Sequence, residues 1–109
     1  MTVEIYKYEL HDKGAFDVNP YITYQAPGSS KWIKTSHEGT IHAGQSEIVD
    51  PKGLGVPVGS TMKLIVHVNA QHDHKASEEF LYVDTSEQQA NYKITGTALK
   101  AHLNYEGTS

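Results

Sequence analysis

Cysteine and arginine are both absent from this chain of 109 residues. Without cysteine there is no disulfide, thiolate nucleophile or thiolate metal site, so burial and backbone pairing must hold the fold. Nine lysines stand against thirteen Asp and Glu, and the formal charge is −4 with neutral histidines. Because arginine supplies the planar fork that grips phosphates, its absence from an acidic chain argues against a nucleic-acid partner. The same charge balance disfavours attraction to anionic lipid.

Long apolar runs are missing as well. No segment is long enough to span a bilayer, and the opening MTVEIYKYEL carries charges where a secretory signal is apolar. We therefore expect a soluble protein, cytoplasmic or secreted without a classical signal peptide, unless the chain begins after a cleavage point. The length predicts a single domain over residues 1–109 with one core.

Two-residue alternation of apolar and polar side chains is the main structural signal. In TMKLIVHVNA, one row consists of Met62, Leu64, Val66 and Val68 and the other of Lys63, Ile65, His67 and Asn69, as in a strand with one buried face. The same reading predicts eight strands, at residues 2–10, 16–25, 31–35, 40–49, 61–70, 79–83, 91–95 and 98–106. In the last of these strands the apolar row consists of Leu99, Ala101, Leu103 and Tyr105. Glycine- and proline-rich turns separate them, which favours a single antiparallel β-sandwich.

Four residues are the candidates for ligand contact. Seven Tyr and one Trp dominate the aromatic content, and such side chains combine an apolar body with a polar tip. Trp32 follows the turn APGSSK, where it either stacks on a ligand or covers the core. Tyr21 falls on the polar face of its strand and is predicted to be exposed. Val56 and Val58 lie in the loop at residues 50–60, where they either plug the end of the sandwich or contact a ligand.

Three histidines within HVNAQHDHKASEEF raise the question of a metal site. His72 and His74 project to the same side of an extended segment, and His67 lies close by if the chain bends. Together they are a candidate metal site, with an adventitious divalent ion as the expected occupant. The competing interpretation is a solvated hairpin loop, since a zinc site usually needs three or four ligands at defined spacing. No cofactor is otherwise expected.

Motifs for catalysis are not found. The Ser-containing turns lack the strand-to-helix context of a nucleophile elbow, and the adjacent Glu78 and Glu79 point to opposite faces of a strand. Glycines are dispersed and form no phosphate cradle. We therefore expect a protein that is not an enzyme.

The segments ELHDKGAFDV, EFLYV and NYKITGTALKAHLNYEG carry a resemblance to a known family. In this pattern of an early strand, a polar glycine turn and a closing pair that ends in Tyr-x-Gly, the chain resembles the aegerolysins. That resemblance implies a small acidic β-sandwich that binds a membrane lipid and sometimes recruits a larger pore-forming partner. Aegerolysins typically show several tryptophans at the lipid-facing surface, so only Trp32 and Tyr21 are carried over as lipid contacts.

These observations favour a non-enzymatic recognition module that binds a membrane lipid headgroup or a glycan through its end loops, in the manner of a cytolysin or a lectin. A homo-oligomer or a pore-forming partner is compatible with this function. Two alternatives remain open: a self-assembling protein that pairs through an unpaired edge strand, and a histidine-based metal-binding protein.

Overall fold

A computed structural model describes residues 2–68 and 72–109 of the chain. Within these residues the chain forms ten strands: β1 Val3–Ile5, β2 Lys7–Asp12, β3 Val18–Gln25, β4 Trp32–Lys34, β5 Ser46–Val49, β6 Thr61–Val68, β7 Asp73–Lys75, β8 Phe80–Tyr82, β9 Gln89–Thr97 and β10 Lys100–Thr108. Sheet A has the order β1-β8-β6-β3-β4, with β7 also paired to β6, and sheet B has the order β10-β9-β2-β5. No helix in the described ranges is long and apolar enough to cross a membrane.

The prediction of an all-β fold is confirmed, but the sheets are mixed and not purely antiparallel. The pairs β1–β8 and β2–β9 are parallel. The cause lies in the first predicted strand, 2–10, which bends at Tyr6 and passes from sheet A to sheet B. Ile5 and Tyr8 are both fully buried although they are three residues apart, so the inward-facing row changes parity at this bend.

The core lies between the two sheets and follows the alternation of β6. Met62, Leu64, Val66 and Val68 all belong to the buried core cluster, as their spacing predicts. The last two residues of the predicted strand at 61–70 lie outside the described residues. Alternating side chains on β2, β3 and β9 complete the core from the facing strands.

The edge of sheet A beside β3 is irregular, and Pro20 provides a physical reason. Val18 and Ile22 donate backbone N–H bonds toward this edge, to the carbonyl of Ile41 at 3.0 Å and the hydroxyl of Thr35 at 3.1 Å. Pro20 lies between them and has no N–H, so the ladder is interrupted there. The strand predicted at 40–49 is consequently confined to β5, and residues 35–41 follow β3 without regular pairing.

Candidate functional site at the loop end

The loop end of the sandwich is where β2, β6 and β9 finish and β3, β7 and β10 begin. The antiparallel pairing of β3 with β6 and of β9 with β10 brings these strand ends together. Asp12 extends the β2–β5 pairing of sheet B at this end, because its N–H donates to Gln45 O at 2.9 Å and its carbonyl accepts from Gly44 N at 2.7 Å. The loop at 42–45 links β5 to Ile41, which is bridged to Val18 of sheet A. The loop at 13–17, the loop at 42–45 and the β9–β10 turn therefore lie at one end.

Leu99 is at the tip of the β9–β10 hairpin and is 81% exposed. Thr97 pairs with Lys100, so Ala98 and Leu99 alone form the turn. The sequence prediction started a strand at residue 98 and counted Leu99 in its apolar row, which is wrong. In the structure β9 continues through Gly96, which has a positive φ of 97°, to Thr97, and the turn follows at 98–99.

A stack of three rings covers the outer face of sheet A near the loop end. The rings of Tyr21 and His37 are 5.0 Å apart with an interplanar angle of 27°, and those of His37 and His67 are 5.5 Å apart at 23°. Asp73 joins the two outer members, because it accepts a hydrogen bond from the Tyr21 hydroxyl and lies 2.7 Å from His67 Nδ1. We call these four residues the ring stack.

Two pKa shifts describe the electrostatics of the ring stack. The hydrogen bond from Tyr21 is the main cause that lowers the pKa of Asp73, partial burial opposes it, and the bond with His67 adds to it. Burial raises the pKa of Tyr21 to about 12, with the hydrogen bond to Asp73 as the second cause. Asp73 is therefore held as a carboxylate and Tyr21 as a neutral donor. Since His67 precedes the β6–β7 connection and Asp73 follows it, their contact closes the base of that connection.

Asp12 is a second ionisable group at the loop end, and it is fully buried. Its carboxylate accepts one hydrogen bond from Gly14 N at 2.9 Å. Burial raises the pKa of Asp12 above its ordinary value, and the bond from Gly14 opposes this effect. Its backbone bonds to the 42–45 loop extend the β2–β5 pairing of sheet B at this end.

Trp32 and Val58, both predicted to contact ligand, lie at the opposite end of the sandwich. Trp32 is 38% exposed at the start of β4, with Lys63 Nζ 4.9 Å from its ring centroid, so it does not cover the core. Val58 is 51% exposed. A Cβ on Gly59 would lie 3.2 Å from Pro27 Cγ, which shows that the loop at 50–60 contacts the loop that precedes Trp32.

Val56 and Tyr21 are both buried, so little of either side chain is accessible to a ligand. Val56 is 4% exposed and belongs to the core cluster, so it plugs the sandwich and Val58 does not. Tyr21 does lie on the outer face, but the prediction that it is exposed is wrong: it is 4% exposed. The stacked His37 and the bond to Asp73 explain this burial, and both depend on segments distant in sequence. A ligand-binding role for either residue stays a prediction.

The three histidines predicted as metal ligands do not converge. His67 pairs with Asp73 and faces the outside of sheet A, whereas His74 pairs with Val66 and faces the other side. His72 is exposed at the beginning of the described segment 72–109. In residues 2–68 and 72–109, no three His, Asp or Glu side chains are placed to hold a metal ion. Metal binding by these histidines stays a prediction.

The chain has an all-β fold in which two mixed sheets pack in two layers. It superposes on listeriolysin O with a TM-score of 0.54 over 93% of this chain and 22% of that one, at 10% identity. It superposes on a disulfide-locked mutant of intermedilysin, solved with human CD59, with a TM-score of 0.53 over 94% of this chain and 24% of that one, at 16% identity. Both are cholesterol-dependent cytolysins.

These similarities establish the fold alone. The chain spans less than a quarter of the length of either cytolysin. No protein-family model and no curated protein matches the sequence. A relationship to the aegerolysins is not shown, and what the comparisons support is a β fold that also occurs within the cytolysins.

Proposed function

We propose that this protein is a non-enzymatic recognition module that attaches to a membrane lipid surface through its loop end. The observation that carries the proposal is Leu99, a fully projecting aliphatic side chain at the tip of a paired hairpin. An apolar side chain at such a tip loses contact with water when it enters the headgroup region, which supplies up to about 1.5–3 kcal/mol for a leucine. A single insertion of this size gives weak, reversible attachment.

The paired strands that hold Leu99 favour insertion, because the hairpin loses little conformational entropy on binding. The β9 strand is paired on both sides, with β10 and with β2, and Lys13 and Ala15 extend that pairing by donating to the carbonyls of Ile94 and Gly96 at 2.8 and 3.4 Å. Ligand contacts on loops held by a rigid scaffold lose less conformational entropy. An aliphatic tip also suits lipid better than sugar, since glycans are usually stacked on aromatic rings.

The cytolysin-like fold supports attachment to membranes rather than catalysis. Intermedilysin was solved with human CD59, so a protein that contains this fold also has a protein partner. Because the chain spans a small part of the cytolysins, a pore-forming partner or oligomer remains part of the proposal. Lipid recognition of the aegerolysin kind is the finer form of the same proposal.

The test compares two serine substitutions at opposite ends. Leu99→Ser is expected to weaken pelleting with zwitterionic vesicles, with and without cholesterol, by about tenfold, since it removes most of one buried leucine. Val58→Ser is the matched control, because it is an exposed apolar residue that leaves the loop end intact. Moderate salt is expected to change binding little, since the contact is apolar.

A reversed pattern, in which Val58→Ser weakens binding and Leu99→Ser does not, would place the contact at the Trp32 end. Trp32→Ala on a glycan array then distinguishes a sugar ligand from a lipid, because an indole can stack on a sugar through the face that Lys63 leaves open. Wild-type protein that binds neither vesicles nor glycans would refute the proposal.

Self-assembly is a second candidate function, and the long outer strand β10 favours it. β10 pairs with β9 along one side, and among the described residues no strand pairs with its other side over Lys100–Thr108. An open edge of nine residues is a template for another copy. Light scattering across a dilution series is expected to show a monomer in the micromolar range if recognition is the function. An assembly that persists well below that range, with no lipid or glycan binding, would favour self-assembly.

A further inference from the structure

All seven histidines of the chain lie in the half of the sandwich nearest the loop end. They are His11, His37, His42, His67, His72, His74 and His102. Register places them: His11 is one residue before the end of β2, His67 is one before the end of β6, and His102 is opposite Thr95 beside the β9–β10 turn. The opposite half contains none.

Two carboxylates of the loop end are paired with histidines. Asp17 Oδ2 lies 3.2 Å from His42 Nδ1, and Asp73 Oδ1 lies 2.7 Å from His67 Nδ1. Asp12 is fully buried. The surrounding cations, by contrast, are exposed to solvent: Lys13, Lys75 and Lys100. The other carboxylates of this half are Glu9, two residues before His11 on β2, and Glu38 and Glu47, which are exposed beside Ile41. Seven added protons outnumber these three groups, so protonation of the histidines raises the surface charge of this end.

The remaining histidines have both acidic and uncharged neighbours: Glu38 follows His37, and Glu9 lies on the same face of β2 as His11. His37 faces Tyr21 and His67 in the ring stack. His11 lies opposite Ser46 on β5 and Lys93 on β9, next to Asp12.

On the outer strands, His102 lies opposite Thr95 and His74 opposite Val66. His72 is exposed, and Asp73, the carboxylate beside it, is held by His67 and Tyr21.

We propose that mild acid turns the loop end into a cationic surface that binds anionic lipid membranes. This inference rests on the proposed function, because it assigns the membrane contact to the same end. Histidine is the side chain that ordinarily takes up a proton between pH 7.5 and 5.5. Seven added protons would take the formal charge from −4 to +3, and all of that change occurs in one half of the molecule.

Attraction to an anionic membrane depends more on where the histidines lie than on how many there are. Attraction to an anionic membrane falls off within a Debye length, about 8–10 Å at ordinary ionic strength, so only charges beside the contact contribute. Leu99 fixes the contact at the end where the histidines lie. At neutral pH the formal charge of −4 disfavours binding to anionic lipid. Once the imidazoles are charged, the positive charge beside the contact outweighs this effect.

The experiment measures binding to vesicles with and without phosphatidylserine at pH 7.5 and 5.5. Binding to phosphatidylserine vesicles is expected to become at least about tenfold tighter at pH 5.5, and 0.5 M salt is expected to remove that gain. Zwitterionic vesicles should show no gain. A triple variant with His42→Gln, His72→Gln and His102→Gln, all exposed positions outside the ring stack, should lose most of it.

Lys31→Gln with Lys52→Gln is the control, because it removes two charges from the opposite end and should leave the acid gain unchanged. Circular dichroism at pH 5.5 verifies that each protein is folded. Equal gains on zwitterionic vesicles, or a full gain in the triple variant, would overturn the inference. Binding at pH 7.5 with no acid gain overturns the inference and leaves the proposed function standing, whereas absence of binding at both pH values overturns both.

Discussion

Gly96→Ala is expected to destabilise the protein by about 3 kcal/mol or more. Gly96 has a φ of 97°, a conformation that L side chains rarely adopt, and a Cβ there would lie 2.1 Å from the carbonyl oxygen of Lys100. That oxygen is backbone, so the β9–β10 hairpin has to open for the methyl group to fit. A fall in melting temperature of more than about 10 °C should be seen by calorimetry or circular dichroism.

Gly44→Ala is the matched control, because Gly44 also has a positive φ, of 86°, but has nothing within 4 Å of the position of a Cβ. The Gly44→Ala variant therefore loses only the free energy needed to hold an L residue at a positive φ, about 1–2 kcal/mol. The difference between the two variants therefore measures the steric clash at the hairpin. Equal losses of stability would mean that the Lys100 carbonyl does not approach Gly96 as described.

The second large effect is expected from Asp73→Ala, which should cost about 2–3 kcal/mol in the free energy of unfolding. The substitution removes the acceptor for the hydroxyl of Tyr21, a residue that is almost fully buried, and the partner of His67. A buried donor left without an acceptor costs about 1–3 kcal/mol. Because the Asp73 side chain is partly exposed, we expect its bond with His67 to contribute less. Urea denaturation at pH 7 measures the loss.

The pH dependence of Asp73→Ala has a defined sign. The pKa of Asp73 is lower in the folded protein than its ordinary value of 3.8. Its contribution is therefore complete above about pH 4, and it is lost as the pH falls through the folded pKa. The stability difference between wild type and variant should narrow only below pH 4. At the alkaline side, the pKa of Tyr21 is raised to about 12, so its contribution is present below pH 10 and is lost as the pH rises through 12.

Asp17→Ala is the control for this pair. Asp17 also contacts a histidine, His42 at 3.2 Å, but both side chains are largely exposed. An exposed pair of this kind contributes about 0–1 kcal/mol. Similar losses for Asp73→Ala and Asp17→Ala would show that the ring stack is a surface contact without a buried donor.

Strands with one buried face were predictable because local alternation decides them. The row Met62, Leu64, Val66 and Val68 was read from spacing and is the core row of β6. Likewise, Ala101 and Leu103 pack against the core as their alternation predicts. The sequence also contained a signal that the first strand passes from one sheet to the other, because its apolar row changes parity between Ile5 and Tyr8. Alternation within one segment does not, however, show that the segment contributes to two sheets.

The candidate site was less accessible to sequence reasoning. Leu99 was assigned inward because apolar alternation continues through it, and only the pairing of Thr97 with Lys100 shows that it occupies a turn. A sequence signal for the turn was present, because Gly96 is followed by the small residues Thr97 and Ala98 between two alternating runs. Tyr21 was placed on the correct face but assigned to solvent, because nothing near it in sequence reveals that His37 and Asp73 cover it.

The amino-acid sequence by itself determined that this chain forms β-strands with one apolar face, that no thiol chemistry occurs, and that no local catalytic motif is present. These properties depend on residue type and on spacings of two to four positions. Tertiary structure alone decided which strands became parallel neighbours, which exposed apolar residue reached the tip, and that seven histidines spread over 92 positions gather in one half of the sandwich. Those outcomes depend on contacts between residues far apart in the chain, whose geometry is set when the two sheets pack around a common core.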